Sequence, residues 1–192
     1  MTNDTLSEYR FSCQFLATTR KIDFFPTPSW RSITHGNLHI FMHPKLEYTQ
    51  VTEGQWLFSL FGEIFDPSNP EFSNSAILSH IASVANSFTD LESEIAIHAG
   101  RWVMLATHNS TTRVYHDASG LKSVFYMLDS GTVAHLGSTP AILEAASMTQ
   151  RDVHMIKDFQ KYPNSGAWPV HQIPFTGVAQ LLPNHYLDFA TR

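Results

Sequence analysis

The run WLFSLFGEIFDP, residues 56 to 67, places large apolar side chains on both faces of an extended segment. Alternation would be expected of a strand with one wet face, so this one must lie in a sheet covered on both sides. Gly62 marks a bend, and Asp66-Pro67 ends the run because proline cannot donate to a ladder. A chain built around such a strand needs a large core. With 192 residues, 43% of them hydrophobic and 12% aromatic, it can supply one.

Twelve Lys and Arg against seventeen Asp and Glu give a net charge of -5, which lacks the field needed to hold a phosphate backbone. Nucleic acid is therefore not an expected partner. Nor is a membrane, because no apolar run approaches the roughly 20 residues of a span, and MTNDTLSEYR is too polar for a signal peptide. The single cysteine, Cys13, excludes an internal disulfide and fits a reducing, cytoplasmic setting.

Residues 1–8 read as a flexible tail. YRFSCQFL then sets Tyr9, Phe11, Cys13 and Phe15 at period two, a first strand, and makes Cys13 a small apolar side chain of its buried face. KIDFFPTPSWRS reads as a loop, and NLHIFMHP as a second strand with Leu38, Ile40 and Met42 on one side. Residues 73–89 have helical spacing through Ile77, Ile81, Val84 and Phe88, with Ser73 or Asn74 as cap. A shorter helix is expected from Leu91 to His98, ended by Gly100, before RWVMLATH returns to strand. TTRVYHDASGLKSVFYMLDSGTVAHLGS reads as an antiparallel meander turning at Asp129 to Gly131. Pro140 to Ala146 and RDVHMIKDFQKY then suggest helices, PNSGAWPVHQIPF a loop, and GVAQLLPNHYLDF a closing hairpin-like pair. Strands, helices and strands in succession indicate an α+β fold.

His35, His39 and His43 stand four apart, which would align metal ligands on a helix. They fall on a strand-like run, however, where His39 and His43 would be separated by about 13 Å. No metal site is expected from them. Asp117, followed by Ala118-Ser119-Gly120, has the chemistry of a turn aspartate that binds local N–H groups.

Three segments in order, FGEIFDPSNPEFSN, HAGRWVMLATHNSTTRVYHDASGLKSVFYM, and LGSTPAILEA followed by FTGVAQLLPNHYLDF, resemble the N-terminal glutamine amidotransferase domain of asparagine synthetase-like proteins. The resemblance spans Phe58 to Phe189 and implies a four-layer αββα Ntn-hydrolase-like sandwich of two antiparallel sheets. It assigns residues 9–148 to the amidotransferase-like domain and 149–192 to an extension and closing strands leading toward a synthetase domain.

Active members of that family attack the glutamine side chain with an N-terminal cysteine whose own α-amine acts as base. This chain begins Met1-Thr2, so the resemblance implies a nucleophile only if processing exposes Thr2 or, more plausibly by position, Cys13. The family's oxyanion pair is asparagine-glycine, and here it is Phe61-Gly62. Its serine-aspartate pair, which holds the glutamine α-amino group, becomes Phe72-Ser73, and Arg31 is the nearest arginine to the carboxylate-binding position. Asn184-His185-Tyr186 matches the family's closing strand, where packing at a domain junction is expected.

The resemblance thus implies vestigial positions Phe61, Gly62 and Ser73 and no catalytic residue. The expected role is a degenerate domain serving as scaffold for an ATP-dependent amide-forming domain, in cis or in trans, which would carry ATP and magnesium. No cofactor is expected in this piece, and a homodimer is open. Two other readings remain: a stand-alone ligand- or protein-binding module, and a glutamine hydrolase activated by cleavage before Cys13.

Overall fold

A computed structural model describes residues 11–23, 28–161 and 173–189. The expected tail at 1–8, Thr2, Tyr9 and most of the PNSGAWPVHQIPF loop lie outside those residues. The elements in chain order are β1 (Phe15–Thr18), β2 (Arg31–His35), β3 (Leu38–Met42), β4 (Tyr48–Glu53), β5 (Trp56–Phe65), α1 (Asn74–Val84) and α2 (Phe88–Ile95). There follow β6 (Ala99–His108), β7 (Thr111–His116), β8 (Phe125–Asp129), β9 (Thr132–Gly137), α3 (Pro140–Ala145), α4 (Val153–Gln160), β10 (Val178–Gln180) and β11 (Leu187–Phe189).

The fold is α+β with two antiparallel sheets. One has the order β10-β8-β9-β1-β3-β2 and the other β11-β7-β6-β5-β4. β5 shows how the chain fills both sides of the second sheet. Its even positions Trp56, Phe58, Leu60 and Ile64 pack with Ile77, Leu78 and Ile81 of α1 and Leu91 of α2. Phe61, of opposite parity, enters a separate cluster with Phe15, Leu38, Ile40 and Met42 of the first sheet. The doubly apolar run thus serves two cores at once. A third cluster sets Leu16 and Phe41 of the first sheet against Ile142 and Leu143 of α3. Period two assigns adjacent residues to opposite faces, so Phe15 and Leu16 end in different cores.

The structure corrects several expectations. Residues 73–89 are two helices, because Ala85 is extended and Ser87 accepts the Asp90 N–H to start α2. The Asp90 carboxylate in turn accepts the Asn86 N–H at 3.0 Å, satisfying a donor that the break would otherwise orphan. The meander is split: β7 belongs to one sheet and β8 and β9 to the other, so the segment from Asp117 to Val124 crosses between them. The closing strands do not pair with each other either; β10 pairs with β8, and β11 with β7. β2 and β4 were not anticipated, since Pro28 precedes one and the polar YTQVTE composes the other.

Gly100 does not terminate a helix but lies within β6, opposite Ile64. It and Gly62 are reciprocal. A Cβ on Gly62, whose φ is +105°, would fall 2.2 Å from the Arg101 carbonyl oxygen, and one on Gly100, at φ +129°, 2.2 Å from that of Glu63. Both obstacles are backbone, so neither can rotate away. Gly62→Ala should therefore destabilise the protein by roughly 2–4 kcal/mol, combining an unfavourable φ with a forced strand displacement. Urea unfolding would measure it, and an unchanged midpoint would contradict the close approach.

Candidate functional site

The two glycines floor a cavity of about 720 Å³, bounded also by Ser12, Cys13 and Gln14 before β1 and by Ser138 and Thr139 after β9. Several distant segments meet here. Lys45 and Glu47 come from the β3–β4 connection, Glu63 and Arg101 from facing positions of β5 and β6, and Lys122 from the crossover between the sheets.

The crossover is fixed by Asp117, which is buried and accepts the N–H groups of Leu121 at 2.9 Å and Lys122 at 3.0 Å. This is the local bonding expected of a turn aspartate, at longer range along the chain. Gly120 donates its own N–H to the Asp117 carbonyl at 2.8 Å, and its positive φ of +63° closes the turn. Lys122 is thereby held in the cavity wall, half-buried. Its ammonium pKa is lowered, first by burial and then by the Arg101 charge, with Cys13 and Asp117 acting in the opposite sense.

Cys13 is not on β1 and not in the core. It is exposed in the turn preceding the strand, in a left-handed conformation with φ 55°, and its Sγ donates to the Lys45 carbonyl oxygen at 3.5 Å. The expected period-two face fails because Phe11 is also left-handed and the Gln14 N–H turns back to its carbonyl, delaying the strand to Phe15. With Ser12 attached, the Cys13 nitrogen is an amide and supplies no base. Among the described residues lining the cavity there is no histidine to replace it.

Phe61 is fully buried and stacks on Phe15 with ring centroids 4.3 Å apart and planes 6° from parallel. The Tyr48 ring also meets it, tilted, with centroids 5.4 Å apart. The ring lies between the sheets, outside the cavity lining. The Gly62 N–H is no free donor either, since it bonds to the Glu47 carbonyl oxygen at 2.9 Å. Nor is the Gly62 carbonyl free, as it accepts from Asn74 Nδ2 at 3.0 Å. Ser73 is the N-cap of α1, its hydroxyl oxygen accepting from the Ala76 N–H at 3.3 Å, and it does not line the cavity. Arg31 donates to the Leu46 carbonyl oxygen at 3.2 Å, also outside it.

The histidine trio is dispersed by function of packing. His35 is buried with both ring nitrogens engaged, Nδ1 with the Ser59 hydroxyl at 2.9 Å and Nε2 with that of Thr107 at 2.8 Å. Burial lowers its pKa to about 4. His43 is buried elsewhere, receiving the Lys45 N–H on Nδ1. At the closing strand, Asn184 is left-handed, His185 Nδ1 donates to the Pro183 carbonyl oxygen, and the Tyr186 ring lies 4.3 Å from the Arg113 guanidinium. Arg113 also binds Asp188 at 2.7 Å and Glu92 at 3.0 Å, tying β11 to β7 and α2.

Cys13, Gly62 and the Asp117 corner are thus the sequence-level features that converge on the cavity, while Phe61, Ser73 and Arg31 do not. The cationic wall of Lys45, Arg101 and Lys122 was missed, because three single residues from three segments leave no local pattern. No helix among the described residues is long and apolar enough to cross a membrane. No protein-family model matches the chain, and neither does any of the curated proteins with which it was compared.

Proposed function

We propose that this is a degenerate amidotransferase-like domain of Ntn-hydrolase type, which does not hydrolyse glutamine and acts as scaffold for an ATP-dependent amide-forming domain in the same chain or a separate one. The observation that carries this reading is the state of the oxyanion position. Phe61 places an apolar ring in the intersheet core where a side-chain donor would be needed, and the adjacent Gly62 N–H is already bonded to Glu47. An oxyanion donor is worth about 3–4 kcal/mol of transition-state stabilisation, and here neither member of the pair can supply it. The two antiparallel sheets and their helical covers support the Ntn-type comparison. ATP and magnesium belong to the partner domain in this proposal.

Cys13 at the cavity edge favours a second reading, in which cleavage before it would create a terminal thiol and amine. The left-handed backbone, the Sγ contact to Lys45 and the occupied Gly62 N–H weigh against it. Intact mass of the protein purified from its native host separates the two. Retention of Ser12 is expected, and a species beginning at Cys13 would overturn the scaffold proposal.

A further inference from the structure

Among the described residues, the cavity lining carries a charge opposite in sign to that of the whole chain. Lys45, Arg101 and Lys122 line it against Glu47 and Glu63, an excess of one cation in a chain whose net charge is -5. Arg101 uses Nε to bond the Leu121 carbonyl oxygen at 3.2 Å, and among the described residues neither it nor Lys122 forms an ion pair with a carboxylate. Both Glu47 and Glu63 are exposed, whereas Lys122 is half-buried. A cation partly withdrawn from water without a paired carboxylate is stabilised by a ligand that brings one.

The rest of the wall limits what that ligand can be. Phe65 and Leu121, respectively 49% and 61% exposed, are large apolar side chains left in water at the same cavity. The cavity volume of about 720 Å³ lies in the range of small-molecule sites. A bare inorganic ion would leave most of it unfilled. We infer that the cavity binds a small organic oxyanion, its charged group between Arg101 and Lys122 and its apolar body against Phe65 and Leu121. This rests on the proposed absence of hydrolysis at the site, since the ligand is held and not turned over.

Cys13 provides the readout, being the sole cysteine of the chain, exposed, and part of the same cavity. Its alkylation by iodoacetamide would be followed by mass spectrometry at fixed ionic strength, with 3-phenylpropanoate, phenyl phosphate or the uncharged 3-phenylpropanol present. By mass action, an anion at several times its Kd should slow the reaction about fivefold, and the alcohol should not. Whichever anion protects at the lower concentration identifies the group as carboxylate or phosphoryl. Lys122→Met should abolish protection, Arg101→Gln should weaken it, and Lys161→Met, which removes a cation paired with Asp158 outside the cavity, should leave it intact. A thiol indifferent to both anions, equal protection by the alcohol, or equal loss in Lys161→Met would overturn the inference. Glutamine is absent from this measurement, so its failure is distinct from failure of the non-hydrolytic proposal, which ammonia release alone would signal.

Discussion

Phe61→Asn is expected to lose about 4–8 kcal/mol of stability and to gain no glutaminase activity. Emptying a buried phenylalanine site costs about 3–5 kcal/mol, and an amide left without partners in the intersheet core adds about 1–3. The ring removed is stacked on Phe15 and fully enclosed, so little relaxation can refill the space. Against the ~5–15 kcal/mol that holds a typical domain together, the loss places the variant near unfolding. An asparagine at position 61 therefore does not supply the donor of the proposed oxyanion pair, because position 61 faces the core and the Gly62 N–H is bonded to Glu47. Urea unfolding with Phe61→Leu as a milder control measures the stability. A Phe61→Asn protein as stable as the parent would mean that the side chain can leave the core.

The second large effect is an acid sensitivity centred on His35. Its folded pKa, about 4, lies below the ordinary histidine value of 6.5 because burial disfavours the imidazolium. Between these values the unfolded chain binds the proton more readily, so stability falls as pH falls through the window from about 6.5 to about 4. The full contribution is present above 6.5 and amounts to about 3 kcal/mol, from 1.36 kcal/mol per pKa unit. His135, lowered in pKa by burial and then by Arg20, acts in the same sense. Denaturant titrations at pH 7, 5.5 and 4 should show the loss, and His35→Gln should flatten it by about 3 kcal/mol relative to the parent. Parallel pH profiles for the two proteins would contradict the assignment.

What could be read from the residues was set by how local the signal was. WLFSLFGEIFDP announced a doubly covered strand because its apolar residues on both faces are a pattern internal to twelve residues, and β5 packs on both faces accordingly. Leu38, Ile40 and Met42 likewise share the intersheet core. The crossing of Asp117 to Val124 between sheets was not legible, since VYHDASGLKSVFY looks the same whether its strands pair or part. The break between α1 and α2 depends on a cap at Ser87 inside a continuous apolar period. Cys13 shifted from core to cavity edge because two left-handed residues precede the strand, a backbone property that side-chain alternation does not report. The candidate site was legible only in part, through Cys13, Gly62 and the Asp117 turn. Its positive contents, Arg101 and Lys122, become neighbours through register and a loop crossing, both properties of the folded chain.

Ammonia release directly tests the proposal that the domain does not hydrolyse glutamine. Purified protein at micromolar concentration, incubated with millimolar glutamine and a coupled glutamate dehydrogenase readout, should release no ammonia above the protein-free rate, and Cys13→Ala should behave identically. Glutamine-dependent ammonia release that disappears in Cys13→Ala would contradict the account.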